Sequence, residues 1–447
     1  LVNLSTGKAA ASTGVMNPQI RFGEDLMSRV SYVMMNPGGE VELTRVVRDA
    51  ISDLVAQCCA EAGVDRDSVL ELVLVGNPVM HHLFLGINPV ELGGAPFALA
   101  TDESVRTTAA ALDLNVNPRA EIYVLPCIAG HVGADTAAVV LSEAPYLRDE
   151  LTLVVDVGTN AEIVLGDRHK LLAASSPTGP AFEGAQISCG QRAAPGALER
   201  VRIDRDTLEP RFKVIGCDLW SDESGFEEAV AEVGVTGICG SGIIELIAEL
   251  FLAGVITTDG IISRAGADRS VRVFENGKTW SYLLYDGTGE GRVRLTLNQN
   301  DVRAIQLAKA ALYAGTRLLM DKIRVDRVDR IRLAGAFGSH IDVKYAMVLG
   351  MIPDCRLDHV TSAGNAAGTG ATIALLDKKS RYEIEAEVRR IEKVETAVEP
   401  LFQQHFVEAM AFPHKTQPFT ELGKEVDLPT PTESGGERAG RRRRRRR

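Results

Sequence analysis

The sequence predicts an α/β protein built by internal duplication, with an inserted small sheet and a disordered C-terminal tail. Three observations carry that reading. Short apolar runs ending at glycine alternate with helix-like periods, which is the pattern of layered α/β folds. A hairpin-like segment occurs twice without a gap. Leu1-Val2-Asn3, a polar turn and Lys8-Ala9-Ala10-Ala11 match Ile163-Val164-Leu165, a polar turn and Lys170-Leu171-Leu172-Ala173. Strand-to-glycine-to-helix units also recur, Val73–Met80 resembling Ile331–Gly338. Each is followed by a second small-residue turn, Ala129–Asp135 in one half and Ala363–Gly370 in the other. Both turns run into apolar helices at Thr136–Leu141 and Ala371–Leu376. So long a period means duplicated domains, not a solenoid.

Taken in order, the first repeat spans 1–148 and is expected to be truncated at its N-terminus. The second hairpin is preceded by Leu153-Val154-Val155-Asp156, and the counterpart of Asp156 would fall about seven residues before Leu1. With no initiating Met, the chain reads as the C-terminal part of a longer protein. Glu42–Gly63 is an amphipathic helix with Val46, Val47, Ile51, Leu54, Val55 and Cys58 on one face. The second lobe is placed at 149–426. Ile243–Leu252 is apolar all round and expected to be buried. Asp301–Met320 is a long helix with Asn300 or Asp301 as N-cap. Residues 200–297 hold strand-like runs at Phe212–Ile215, Val271–Phe274, Trp280–Tyr285 and Val293–Leu297, read as an insertion with its own small sheet. After Lys378 no element is assigned. Residues 427–447 are rich in Pro, Thr, Ser, Gly and Glu and end in seven arginines, a disordered basic tail.

Bulk properties exclude several classes. Net charge is −11 even with the terminal arginines, so the body is acidic and no nucleic acid is expected as a partner. No apolar run approaches the roughly 18 residues of a membrane span. Seven cysteines are scattered without a C-x-x-C pair, as in a cytoplasmic protein with reduced thiols.

The strongest chemical signal is Asp156-Val157-Gly158-Thr159-Asn160. An apolar strand delivers the chain to a turn where Gly158 lets the backbone approach a ligand closely. The next amides, with Thr159 and Asn160, can donate to phosphate oxygens. Asp156 can hold Mg²⁺ through water. A plain hairpin turn with a capping aspartate accounts for the pentapeptide equally well. Gly335-Ala336-Phe337-Gly338-Ser339 opens a helix after a buried strand, as do Gly364-Asn365-Ala366-Ala367-Gly368 and Gly240-Ser241-Gly242. Each could be only tight strand–helix packing. None has the order of a P-loop or a dinucleotide fingerprint. His81 and His82 point about 100° apart on a helix, which favours a structural role over a shared metal.

Here the residues resemble a family. Asp-Val-Gly-Thr-Asn at 156–160 followed by Gly-Ala-Phe-Gly-Ser at 335–339 is similar to the acetate and sugar kinase, heat-shock chaperone and actin superfamily. Within it, Asn17–Asp25, Gly76–His82, Ser176–Gly184 and Thr236–Gly242 resemble the reductive activators of corrinoid proteins. The resemblance covers roughly residues 1–420. It implies two ribonuclease-H-like lobes closing on ATP and Mg²⁺. It also implies an uphill electron transfer that restores cob(II)alamin to cob(I)alamin on a partner corrinoid protein of a methyltransferase system. The electron would come from an iron–sulfur cluster on a ferredoxin-like domain, expected N-terminal to this chain. Asp156, Gly158, Thr159 and Asn160 would form the second phosphate loop, with the first lying before Leu1. Gly335, Ala336, Phe337, Gly338 and Ser339 would lie near adenosine. Gly364 and Asn365 would sit at the lobe connection, and Asp135 would orient water or Mg²⁺. A small-molecule kinase of a sugar or carboxylate, and a nucleotide-gated chaperone-like protein, are the alternatives on the same cleft.

Overall fold

The computed structural model describes residues 1–429. Most of the expected basic tail, 430–447, lies outside them. Residues 1–144 carry helices α1 (Leu26–Met35) and α2 (Gly39–Ala62), strand β1 (Glu71–Leu74), helix α3 (Pro78–Leu85), strands β2 (Val105–Thr108) and β3 (Glu121–Val124), and helix α4 (Ala134–Glu143). Their sheet has the order β1-β3-β2, with β1 parallel and β2 antiparallel to β3. The Leu1–Ala11 hairpin is present as one Val2–Ala9 bridge. Helix α2 ends at Gly63, whose φ of +65° suits the left-handed cap that other residues adopt only with strain. Its predicted stripe is unevenly covered. Val46 and Cys58 are buried, whereas Ile51, Leu54 and Val55 are half-buried because they line a cavity of about 270 Å³.

The chain continues through β4 (Thr152–Val157), β5 (Ala161–Gly166), β6 (Leu171–Ser176), β7 (Ala197–Ile203), β8 (Pro210–Val214), α5 (Phe226–Val230), β9 (Gly237–Ile238) and α6 (Gly240–Leu252). Then come β10 (Val273–Asn276), β11 (Thr279–Asp286), β12 (Arg294–Leu297) and α7 (Gln299–Ile323). The last elements are β13 (Arg330–Ala334), α8 (Gly335–His340), α9 (Val343–Val348), β14 (Val360–Gly364), α10 (Ala366–Leu376), α11 (Lys378–Val388), β15 (Glu392–Lys393) and α12 (Phe402–Glu408). A six-stranded sheet runs β14-β13-β4-β5-β6-β15. Strands β14, β13 and β4 are parallel, and the β4-β5-β6 run is antiparallel. Leu153 and Val155 face the core that contains α6 and α7 residues, and Val154 faces a second core with α4. A strand covered on both faces needs an unbroken apolar run, which is what 153–155 supply. Each such side chain contributes about 1.5–3 kcal/mol by burial.

Three expectations change. The region around 200–297 forms two three-stranded sheets, β8-β7-β9 and β10-β11-β12, not one. The pairing partner β7 begins at Ala197, before the expected boundary. The N-cap of α7 is Asn298. Its side chain accepts from the amides of Asn300 and Asp301, while the Asp301 carboxylate accepts from the Asn298 amide. Asp301 therefore closes a capping box from the third helical position. The unassigned stretch after Lys378 is helical through Val388, and β15 then adds to the sheet edge beside β6. Among the described residues no helix is long and apolar enough to cross a membrane.

Helices α4 and α10 pack against each other in the core that residues of both sheets share. A Cβ on Gly370 would stand 1.9 Å from the Ala138 carbonyl oxygen, so this approach requires glycine. Helix α11 fastens the arrangement. Arg381 pairs with Glu71 of β1 at 2.5 Å. Glu385 accepts hydrogen bonds from Ser104 (2.6 Å), Tyr123 (2.9 Å) and Arg106 (3.1 Å).

Candidate functional site

The parallel strands β4, β13 and β14 end side by side. Asp156 is in register with Ala334, and Ala334 with Gly364. The predicted acidic turn and two predicted glycine turns therefore share one sheet edge. Carboxyl ends of parallel strands are where α/β proteins bind ligands. Gly335 turns the chain at φ +81°, and a Cβ there would meet the Asp156 Oδ1 at 2.4 Å.

Strands β4 and β5 form a tight hairpin in which Val157 pairs with Ala161, leaving Gly158, Thr159 and Asn160 as the turn. The Gly158 amide donates to the Asn160 carbonyl at 2.9 Å. The Thr178 hydroxyl lies 3.3 Å from the Gly158 carbonyl and 3.1 Å from that of Thr159. The Thr159 hydroxyl donates to Glu183 Oε1 at 3.0 Å. The turn is thus held from behind by the loop after β6.

The same register sets Glu162 directly opposite Asp156, on the same face of the sheet. Sequence reasoning missed Glu162. Its signal was available: a lone carboxylate in the apolar run Ala161–Leu165, opposite Asp156 once the turn is three residues long. Ser175 on β6 donates to Glu162 Oε1 at 3.3 Å. Asp135 approaches from the first turn of α4, where its Oδ1 accepts from the Thr136 amide at 2.8 Å. Gly133 makes room for it, since a Cβ would lie 2.6 Å from the Gly76 carbonyl and 2.7 Å from Asp135 Oδ1.

Burial raises all three carboxyl groups, and neighbouring carboxylates add to the rise at Asp135 and Glu162. Burial pushes Asp135 up to about 6, against the Thr136 amide that stabilises its anion, and Asp156 adds to the rise. Burial likewise raises Asp156. Glu162 is raised well above the usual carboxylate range by burial, then by Asp135 and Asp156. Like charges held in a poorly hydrated cleft cannot all ionise without penalty. Among the described residues no group of three or more His, Cys, Asp or Glu is arranged to hold a metal by itself. A Mg²⁺ ion here would complete its shell with water and phosphate oxygens.

The other predicted residues divide. Asn365 N-caps α10 by accepting from the Gly368 amide at 2.9 Å, beside the open turn at Gly364. Gly338 is buried, and the Ser339 hydroxyl bonds back to the Gly335 carbonyl at 2.9 Å. The side chains of Ala336 and Phe337 lie outside the described part of the chain. Gly240–Gly242 is not at this edge: a Cβ on Gly242 would meet the Leu198 carbonyl at 2.4 Å, so it serves packing of α6 on β7. His82 is structural, with Nδ1 2.9 Å from the Pro78 carbonyl and Nε2 accepting the Ala100 amide at 3.0 Å. Burial and its neighbour His82 lower His81 to about 4.

A family model described as the RACo middle region matches residues 1–144, and one described as the C-terminal domain of RACo, the ASKHA domain, matches residues 150–423. The chain is 33% identical over 416 residues to the corrinoid activation enzyme RamQ of Eubacterium limosum, covering 91% of this chain and 67% of that protein. It is 26% identical over 333 residues to the [Co(II) methylated amine-specific corrinoid protein] reductase of Methanosarcina barkeri, covering 69% and 56%. The solved structure of a reductive activator for corrinoid, iron–sulfur protein superposes with a TM-score of 0.78 at 33% identity, covering 92% of this chain and 64% of that one. The chain therefore spans between about half and two thirds of the length of these relatives.

Proposed function

The chain belongs to the RACo family of corrinoid-protein activators, and from that premise we propose that it is the ATP-binding part of a reductive activator. It would bind ATP and Mg²⁺ between two ribonuclease-H-like lobes, 1–148 and 149–426, related by duplication. One electron would pass from a reduced iron–sulfur cluster to cob(II)alamin on a partner corrinoid protein, giving cob(I)alamin. The cysteines of this chain do not suit a cluster. All seven are free thiols, six buried and one half-buried, and none belongs to a metal-holding group among the described residues. The cluster belongs on a separate ferredoxin-like domain.

The observation that carries this reading is the meeting of Asp135, Asp156 and Glu162 beneath the aligned turns at Gly158, Gly335 and Gly364. The amides of Thr159 and Asn160 would donate to phosphate oxygens, the Gly158 amide being engaged with the Asn160 carbonyl. Asp156 and Asp135 would hold the hydrated cation, and Glu162 would take up or release the proton that the pair displaces. ATP shifts the partner-docked state only by its differential affinity for the two arrangements of the lobes.

Calorimetric titration of the chain with a non-hydrolysable ATP analogue and Mg²⁺ tests this. A cob(II)alamin-loaded corrinoid protein should strengthen analogue binding by roughly five- to 150-fold, with the reciprocal effect on partner affinity. Binding indifferent to that partner, together with phosphorylation of a sugar or carboxylate, would move the assignment to a kinase.

A further inference from the structure

The segment 176–184 leaves β6 and passes behind the turn at 158–160. The Thr178 hydroxyl is shared between the Gly158 carbonyl at 3.3 Å and the Thr159 carbonyl at 3.1 Å. Glu183 takes the Thr159 hydroxyl at 3.0 Å. The amides of Thr159 and Asn160 are left out of these contacts, and neither has a hydrogen-bond partner among the described residues.

Peptide geometry turns this arrangement into an orientation. In a trans peptide the carbonyl of one residue and the amide of the next point to opposite sides of the chain. Cis bonds among the described residues are confined to Ala95–Pro96 and Phe412–Pro413, so the peptides of the turn are trans. Drawing the Gly158 carbonyl toward Thr178 therefore aims the Thr159 amide away from that side chain. Drawing the Thr159 carbonyl inward does the same for the Asn160 amide. The Gly158 amide is used within the turn, donating to the Asn160 carbonyl at 2.9 Å. One hydroxyl thus sets the direction of the two donors that stay free.

Thr178 is itself fixed, at 6% exposure. Its amide donates to the Ser176 carbonyl at 3.0 Å, and the Ser176 hydroxyl donates to the Ala311 carbonyl of α7 at 2.6 Å. Pro177 before it and Pro180 after Gly179 lock backbone torsions, and a β-branched side chain has few rotamers. A donor held this rigidly keeps the turn in one geometry before any ligand arrives.

We propose that Thr178 is a positioning residue of the nucleotide site, holding the amides of Thr159 and Asn160 outward for phosphate. The inference rests on the nucleotide reading above and goes beyond it, because Thr178 acts through the carbonyls of the turn and needs no contact with the ligand. Its hydroxyl, not its bulk, is the working group.

The test compares the wild type with Thr178→Val, which keeps the shape and removes the donor, and with Thr178→Ser, which keeps the donor. Calorimetry gives the affinity for a non-hydrolysable ATP analogue with Mg²⁺, phosphorus NMR of the bound analogue reads the donors at its phosphates, and melting curves establish folding. Thr178→Val should bind about tenfold more weakly, with the bound phosphorus resonances moved toward those of free nucleotide. Thr178→Ser should stay within about twofold of the wild type in affinity, with its resonances unmoved. If Thr178→Val does not fold, Thr178→Ala is read in the same way. Weaker binding with unmoved resonances, a loss that serine does not restore, or no loss at all overturns the positioning role while the nucleotide reading stands. If the wild type does not bind the analogue, the nucleotide reading fails and the positioning role fails with it.

Discussion

The two regions carry a similar hairpin signal and treat it differently. In the second region β5 and β6 are six-residue strands whose apolar residues are fully covered, and β4 pairs with both β13 and β5. In the first, the matching hairpin holds by one bridge, and every residue from Asn3 to Ala10 is exposed. Strand β1 pairs on one side only, with β3, and its four residues are all half-buried. No described strand lies between β1 and Leu1–Leu4. Both instead line the 270 Å³ apolar cavity, together with Leu54 and Val55 of α2. The hairpin that is regular here is the one paired with a central strand, β4. Local pattern sets the candidate strand. Flanking pairs set its order.

The largest effect should come where the two sheets are joined. Gly370→Val drives a side chain into the Ala138 carbonyl, and α4 and α10 must separate. We expect no folded protein, or a loss of about 4 kcal/mol or more, read by soluble yield and thermal melting. Next comes the contrast between the sheets. Leu153→Ala, in a fully buried strand, should cost about 3 kcal/mol, whereas Leu72→Ala on β1 should cost about 1 kcal/mol, because it already faces the cavity. Equal costs in denaturant unfolding would remove the distinction between the sheets.

A smaller effect comes from the carboxylate set. Asp135 titrates near 6 in the fold and near 4 when unfolded, so its contribution to stability is whole below about pH 4 and is lost as pH rises through about 6. Glu162, also raised, has the same sign. Glu162→Gln should therefore leave the nucleotide-free melting temperature nearly unchanged at pH 4 and raise it by about 2–4 °C at pH 7.5. A lower melting temperature at pH 7.5 would show that Glu162 stabilises the fold as an anion. The smallest effect is cavity filling: Val55→Leu should add about 0.5 kcal/mol by occupying space beside β1.

Much of the second region was legible from residues. The run Leu153–Val155, the turn at 156–160 and the glycines at 335 and 364 marked strand ends correctly, because burial on both faces and tight turns leave local signatures. The α7 cap was misread because Asn298, Asn300 and Asp301 are all good capping residues, and only backbone geometry chooses among them. Glu162 was missed for a different reason: its place opposite Asp156 depends on strand register, which no single segment encodes. Helix α11 escaped assignment because its polar residues, Arg381 and Glu385, do their work across the joint with the first sheet.

The proposed nucleotide site is the common edge of β4, β13 and β14. Hydrogen exchange followed by mass spectrometry, with and without a non-hydrolysable ATP analogue and Mg²⁺, tests it most directly. Exchange should slow at 156–160, 335–339, 364–368 and 131–136, with β1 little changed. Protection confined to other segments, under conditions where the analogue is bound, would contradict it.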